Sequence, residues 1–334
     1  VNMKAVLLTI TDGAVTWKSD GTTSAITTST IKVPSDVVAI NLSGISGYTI
    51  TPNDNPNTLY FIASTDSVVP STLAGKNVIK GSMAENIKLT DGYEFYAPKN
   101  FTAENITFTK KFNTFNTSGS YFVLKGLNTV ILPFTPTSIT SNGNALSAYQ
   151  TMNDVKKNLW LYEFSSCDLA NGKMYFNYAG SGMVANRPYA IAVSSETPIV
   201  IFSAKNALVT GNPVTKTEGE DCSFIGTYAS TYVSGKGLYV VNDSGTDFIH
   251  ETAFTVKPFN AYFLAQDAAN ANSLTFEFDN YATGIKSVVS ESNTGKVAVY
   301  TVNGMKVREA ANDGNLLEGL PRGIYIVNGK KMVK

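Results

Sequence analysis

Short apolar runs separated by polar turns dominate the chain. Four to six β-branched or aromatic residues recur at Ala14–Trp17, Tyr121–Leu124, Val130–Phe134, Lys173–Tyr178, Tyr189–Val193 and Ile199–Phe202. The pattern continues at Phe224–Tyr228, Leu238–Val241, Ala261–Leu264, Leu274–Phe278, Val297–Val302 and Gly323–Val327. Runs of this length bounded by turn residues predict strands. The boundaries include Asp20-Gly21, Asp91-Gly92, Asn142-Gly143, Asn171-Gly172, Asn303-Gly304 and Asn328-Gly329, pairs that tolerate the positive φ of tight hairpins. Helical periodicity is confined to Ala145–Leu159 and Ala265–Asn272, too short to organise a core. The pattern predicts an all-β chain of antiparallel β-sandwich domains.

Three regions separate. Residues 1–95 show apolar groups at Ile40, Leu59 and Val78, spaced by about nineteen residues, with Ile87 breaking the step. That spacing suits the coils of a short β-solenoid or leucine-rich-like array, and a meander of edge strands is the alternative. Residues 96–280 hold most aromatic strands and read as a central sandwich. Residues 281–334 follow a polar joint at 279–284 and read as a small Ig-like β-module.

Composition narrows the chemistry. The 334 residues carry 26 Lys+Arg against 26 Asp+Glu, so nothing electrostatic favours a nucleic-acid partner. One histidine and two cysteines exclude a His-rich metal centre and a four-thiolate zinc site. No apolar run is long enough for a transmembrane helix. The chain opens at Val1 without a leader-like segment and reads as a processed or cut form, which carries no information on export. Cys167 and Cys222 read as two separate small apolar side chains in strands, with pairing in an oxidising compartment as the alternative.

Candidate chemistry is sparse. His250 has no activated serine to serve, because no Gly-x-Ser-x-Gly elbow occurs, and it reads as a turn histidine. Ser29 and Lys32 share the SxxK spacing of acyl-enzymes without its companion motifs. No GxGxxG, Walker or HExxH motif is present, so neither a cofactor nor a catalytic residue is expected. Glu218, Glu220 and Asp221 form the best carboxylate cluster and are the candidate cation ligands. Trp160 and Tyr162 share one face of a strand over 159–164, and with Trp17 they are the candidate ligand-binding aromatics. Core packing is the competing role for them. Lys110-Lys111, Lys156-Lys157 and Lys330-Lys331 read as surface or edge-strand lysines that oppose aggregation.

The C-terminal residues carry a resemblance. Val297–Tyr300, the Asn303-Gly304 pair, Leu317-Glu318-Gly319-Leu320, Gly323-Ile324-Tyr325, Asn328-Gly329 and the Lys-rich end are similar to the sorting domain of type IX secretion in Bacteroidetes-type exported proteins. Leu89–Ala103, Asn128–Phe134, Ala185–Tyr189 and Pro258–Phe263 resemble segments of surface adhesins from the same bacteria. There they often follow leucine-rich repeats, whose closing repeat Val33-Pro34-Ser35 and Ala39–Leu42 resemble.

The resemblance implies a non-enzymatic, adhesin-like protein, secreted or on the outer surface of a Gram-negative bacterium, that attaches to host or matrix protein. A carbohydrate-binding protein, or an accessory module of a polysaccharide-utilisation system with a glycan partner, is the alternative.

Overall fold

The short β-branched runs form strands throughout the computed structural model. It describes residues 13–115, 126–149, 158–180, 182–194, 197–219, 221–265, 273–278, 296–301, 306–311, 317–327 and 330–334. Among them the only helical element is one 3₁₀ turn, Ser71–Leu73. The chain divides into two compact units, Val1–Asp279 and Asn280–Lys334. The expected strand at Tyr121–Leu124, most of both expected short helices and the joint at 279–284 lie outside the described residues.

The first unit begins with β1 (Ala14–Lys18), β2 (Thr23–Ile26), β3 (Thr30–Lys32), β4 (Val37–Asn41), β5 (Thr49–Thr51), β6 (Leu59–Ile62), β7 (Asn77–Lys80), β8 (Met83–Thr90) and β9 (Phe101–Lys111). Strands β4, β6 and β7 pair in parallel, with Ile40 beside Tyr60 and Tyr60 beside Val78. Strands β3 and β5 pair in parallel on the opposite side of the coil, with Ile31 beside Ile50. Ile31, Ile40, Ile50, Tyr60, Ile62 and Leu73 fill the space between, so this region is solenoid-like. The parallel repeat stops where Ile87 breaks the spacing. Strand β8 turns back antiparallel on β7, and then pairs in parallel with β9.

Next come β10 (Thr114–Phe115), β11 (Asn128–Val130), β12 (Ser138–Ser141), β13 (Asn144–Ala145), β14 (Leu159–Asp168), β15 (Lys173–Tyr178), β16 (Tyr189–Ser194) and β17 (Ile199–Val209). Asn142 and Gly143 join β12 to β13, both at positive φ (49° and 78°), as their two-residue hairpin requires. The unit closes with β18 (Lys216–Glu218), β19 (Cys222–Thr227), β20 (Thr231–Val241), β21 (Asp247–Val256), β22 (Asn260–Ala265) and β23 (Ser273–Phe278).

Two large sheets result. The ten-stranded one runs β13-β12-β17-β9-β8-β7-β6-β4-β1-β2, and crosses residues 95 and 96 without a break in order. The N-terminal strands and β9 therefore share one sheet and one core. The eleven-stranded one runs β10-β16-β14-β15-β23-β21-β20-β22-β19-β18, with β11 attached to β16.

The two sheets meet through β14 and β16, which are buried on both faces. Leu159, Leu161, Ile191 and Val193 face the first core, with Phe108, Phe202 and Phe61 of the ten-stranded sheet. Trp160, Tyr162, Phe164, Ala190 and Ala192 face a second core, with Phe176, Phe224, Phe248 and Phe263. Cross-strand register sets Trp160 beside Ala192 and Tyr162 beside Ala190, so each large ring lies beside a methyl group.

The eleven-stranded sheet curls around this second core. Strands β14 and β19, far apart in its order, approach closely enough for a disulfide between Cys167 and Cys222. This corrects the expectation of two separate thiols. The reason is curvature: Phe164 packs on Phe263 with centroids 4.9 Å apart, and Phe263 stacks on Phe224 at 4.2 Å. Gly219 lies at the same seam, where a Cβ would come 3.0 Å from the Phe164 ring.

In the second unit, β24 (Lys296–Thr301), β25 (Lys306–Ala311), β26 (Ile324–Val327) and β27 (Lys330–Val333) form one antiparallel sheet in the order β25-β24-β26-β27. Val299, Tyr325 and Val327 pack with Leu317 and Leu320 on one face. The described strands supply a single layer. Lys330 and Lys331 lie on its edge strand.

Buried asparagines complete the backbone pairing of the solenoid-like part. Asn77 Nδ2 donates to the carbonyls of Pro56 (2.9 Å) and Lys88 (3.1 Å), and its Oδ1 accepts the Lys88 N–H at 2.7 Å. Asn57 donates to the carbonyls of Thr90 (2.9 Å) and Tyr93 (2.8 Å) and accepts the Thr90 N–H at 2.7 Å. An Asn77→Leu substitution should cost about 2–4 kcal/mol, because it leaves buried backbone groups unpaired. Urea denaturation checks this, and a loss below about 0.5 kcal/mol would mean that those groups find other partners. Opening the disulfide releases a loop of 55 residues. A Cys167→Ser, Cys222→Ser double variant should be less stable than the oxidised parent by about 2–4 kcal/mol in the same assay.

Candidate functional site

The ten-stranded sheet has an outer face that changes character along its length. Over β4, β6 and β7 it is covered by the β3–β5 layer and the Ser71–Leu73 turn. Over β8, β9, β17 and β12 it is open. There the register aligns Lys88, Thr107, Ser203 and Ser138 in one row, and Thr90, Thr109, Ile201 and Thr140 in the next. Asn86, Asn105 and Lys205 form a third row. The alternation that buries Ile87, Leu89, Ile106, Phe108, Val200 and Phe202 beneath them fixes these residues outward. The face is broad and rich in short hydroxyl and carboxamide side chains.

At the step between covered and open parts lies a cleft of about 500 Å³, with Leu73, Lys76, Val78, Met83, Asn86 and Lys88 in its wall. A second cleft, about 640 Å³, opens beside the β20–β21 hairpin. Thr129, Val240, Ile249, Glu251, Phe254 and Asn260 line it. The loops following β4 and β6 enclose a third, of about 550 Å³, between Tyr48 and Asp66.

The candidate aromatics are placed differently. Trp160 and Tyr162 do share a face of β14 and stack at 5.8 Å, and Tyr149 stacks on Trp160 at 4.1 Å. That face is the second core, where Trp160 is 2% exposed and Tyr162 4%. Burial pushes the Tyr162 phenol well above its ordinary pKa. Neither ring offers a surface to a sugar. Trp17 lies on β1, in the other large sheet, half-buried against the first core. Among the described residues, Tyr232 on β20 of the eleven-stranded sheet is an exposed aromatic, at 69%.

The carboxylate cluster does not converge. Glu218 is held by Lys216 and accepts a hydrogen bond from Ser223 Oγ at 2.5 Å. Hydrogen bonds from Lys216 and Ser223 lower its pKa. Asp221 is exposed, and Glu220 lies outside the described residues. Among the described residues no three His, Cys, Asp or Glu side chains are grouped to hold a metal ion. His250 sits in strand β21, not in a turn, and packs edge-on to Tyr239 at 5.4 Å.

One polar group in the first core was not anticipated. Lys110 is not a surface lysine: it is 4% exposed, on the inward face of β9 between Phe108 and Phe112. Its Nζ donates to Asp91 Oδ1 at 3.0 Å and to Asn260 Oδ1 at 2.9 Å. Burial lowers its pKa, with Lys257 adding to that effect and Asp91 opposing it. Asn260 follows Phe259, whose φ of +60° is a left-handed backbone unusual for a bulky residue. Phe259 is held there by the Phe108 ring at 4.5 Å and by its N–H bond to the Thr227 carbonyl at 2.7 Å. Period-two counting could have found Lys110, since Ile106, Phe108 and Phe112 flank it at alternate positions.

No family model, curated protein or solved structure matches the chain.

Because Trp160 is core, Trp160→Ala should destabilise the first unit by about 3–5 kcal/mol. Denaturation followed by circular dichroism checks this. A stable, fully folded variant would mean that the ring does not support the core.

Proposed function

We propose that this is a non-enzymatic binding protein, exported to the surface or surroundings of a Gram-negative bacterium. It attaches to host or matrix protein through the open face of the ten-stranded sheet. The observation that carries this reading is the face itself, with aligned rows of Thr, Ser and Asn on a rigid support. Short side chains lose little rotamer freedom on contact and supply both donors and acceptors. The Cys167–Cys222 disulfide suits an oxidising compartment outside the cytosol. The resemblance of the C-terminal residues to a secretion sorting domain supports export. Among the described residues no helix is long and apolar enough to cross a membrane.

A second reading, glycan binding, draws support from Tyr232, whose ring is open on β20. A flat exposed ring stacks on the C–H face of a sugar.

A panel of matrix proteins and a glycan array separate the two. In a Thr107→Arg, Thr109→Arg variant, matrix-protein binding should fall at least about tenfold, with stability within about 0.5 kcal/mol of the parent. Unchanged binding by this folded variant sinks the open-face reading. Glycan binding that disappears with Tyr232→Ala favours the second reading. Turnover of any polysaccharide or peptide would overturn both.

A further inference from the structure

We propose that Lys110 and Asn260 are the two partners of a self-catalysed isopeptide bond, with Asp91 as its proton carrier. Three observations carry this. Lys110 Nζ lies 2.9 Å from Asn260 Oδ1, so the carboxamide carbon is one bond beyond hydrogen-bond contact. The same Nζ lies 3.0 Å from Asp91 Oδ1, within reach for proton transfer. The amine is enclosed in the first core, with the Phe112 ring 5.5 Å away. An enclosed lysine favours the neutral, nucleophilic amine over the ammonium.

The Asn260 amide is also oriented. Its Nδ2 donates to the Pro258 carbonyl at 3.0 Å, while its Oδ1 faces Nζ. The left-handed backbone at Phe259 precedes it directly. Asn260 lines the 640 Å³ cleft, which gives the leaving group an exit to solvent.

The step balances without an added reagent. Asp91 takes a proton from the Lys110 ammonium. The free amine attacks Asn260 Cγ and forms the Nζ–Cγ bond. The tetrahedral centre passes its surplus proton through Asp91 to Nδ2. The Cγ–Nδ2 bond breaks, and ammonia leaves. The product is an amide linking β9 of one sheet to β22 of the other, across 150 positions of sequence.

Mass spectrometry of the full chain, with the disulfide reduced, tests the proposal. The expected mass is lower than that of the sequence by one ammonia. Proteolysis should give one branched peptide joining the Lys110 and Asn260 segments. A full mass, with Lys110 and Asn260 recovered in separate unmodified peptides, overturns it. Ammonia loss without a branched peptide, as from a succinimide at Asn142-Gly143, also overturns it. In Asn260→Asp the branched peptide should persist with loss of water in place of ammonia. In Asp91→Asn it should disappear, and full linkage there would remove Asp91 from the mechanism. The parent measurement decides the bond itself even where a variant fails to fold.

Discussion

Strand β8 spans eight residues, while its neighbour β7 spans four. Beyond their short hairpin contact, the edge of β8 facing β7 would present bare N–H and C=O groups inside the protein, which is costly. Asn77 and Asn57 meet that edge at Lys88 and Thr90, two positions apart along β8. A carboxamide carries one donor and one acceptor side by side, as a peptide group does. Each asparagine therefore acts as a missing strand residue. Asn53 instead uses its Nδ2 for the Pro34 and Val37 carbonyls and accepts the Thr58 hydroxyl at Oδ1. The passage from parallel coils to the long strands β9 and β17 depends on these contacts, and so does the change from covered to open face.

The sharing of β14 and β16 by two cores is a second consequence of stacking sheets in layers. A strand covered on one side alternates apolar and polar residues. Residues 159–164 and 189–193 have almost no polar positions, because both sides are covered. Large rings on β14 require small neighbours on β16, and Ala190 and Ala192 provide the space. The inner face of the curled sheet is then an interlocked set of rings, and the open polar face lies elsewhere, on strands whose outer positions are mostly Thr, Ser and Asn.

How much of this was legible follows from the range of each interaction. Local signals were clear. Lys173–Tyr178 is a strand at the expected bounds, and Asn142-Gly143 makes the expected hairpin. The spacing of Ile40, Leu59 and Val78 marked the parallel coils to within one residue of register, and Ile87 marked their end. Strand β9 is hard to read from the apolar pattern, because Glu104, Asn105 and Lys111 dilute its alternation. Strand β21 is obscured for a similar reason, with His250 and Glu251 at its middle. Which side of β14 is wet depends in large part on Phe224, Phe248 and Phe263, distant in sequence, and alternation within one strand cannot report it. The pairing of Cys167 with Cys222 is equally non-local, since it depends on curvature accumulated over seven strands. The open face is periodic in sequence, but its flanking cover comes from other parts of the chain.

The proposed attachment role makes tension the relevant load. The Cys167–Cys222 bond encloses a loop of 55 residues, covering β15, β16, β17 and β18. At up to ~3.3–3.6 Å per extended residue, that is roughly 190 Å of contour that a pull on the chain ends cannot draw out. Force applied from either side bypasses the loop through the sulfur bridge. Strand β17, which supplies part of the Thr/Ser/Asn face, therefore lies in a stretch that a pull on the chain ends cannot unravel while the bridge is intact.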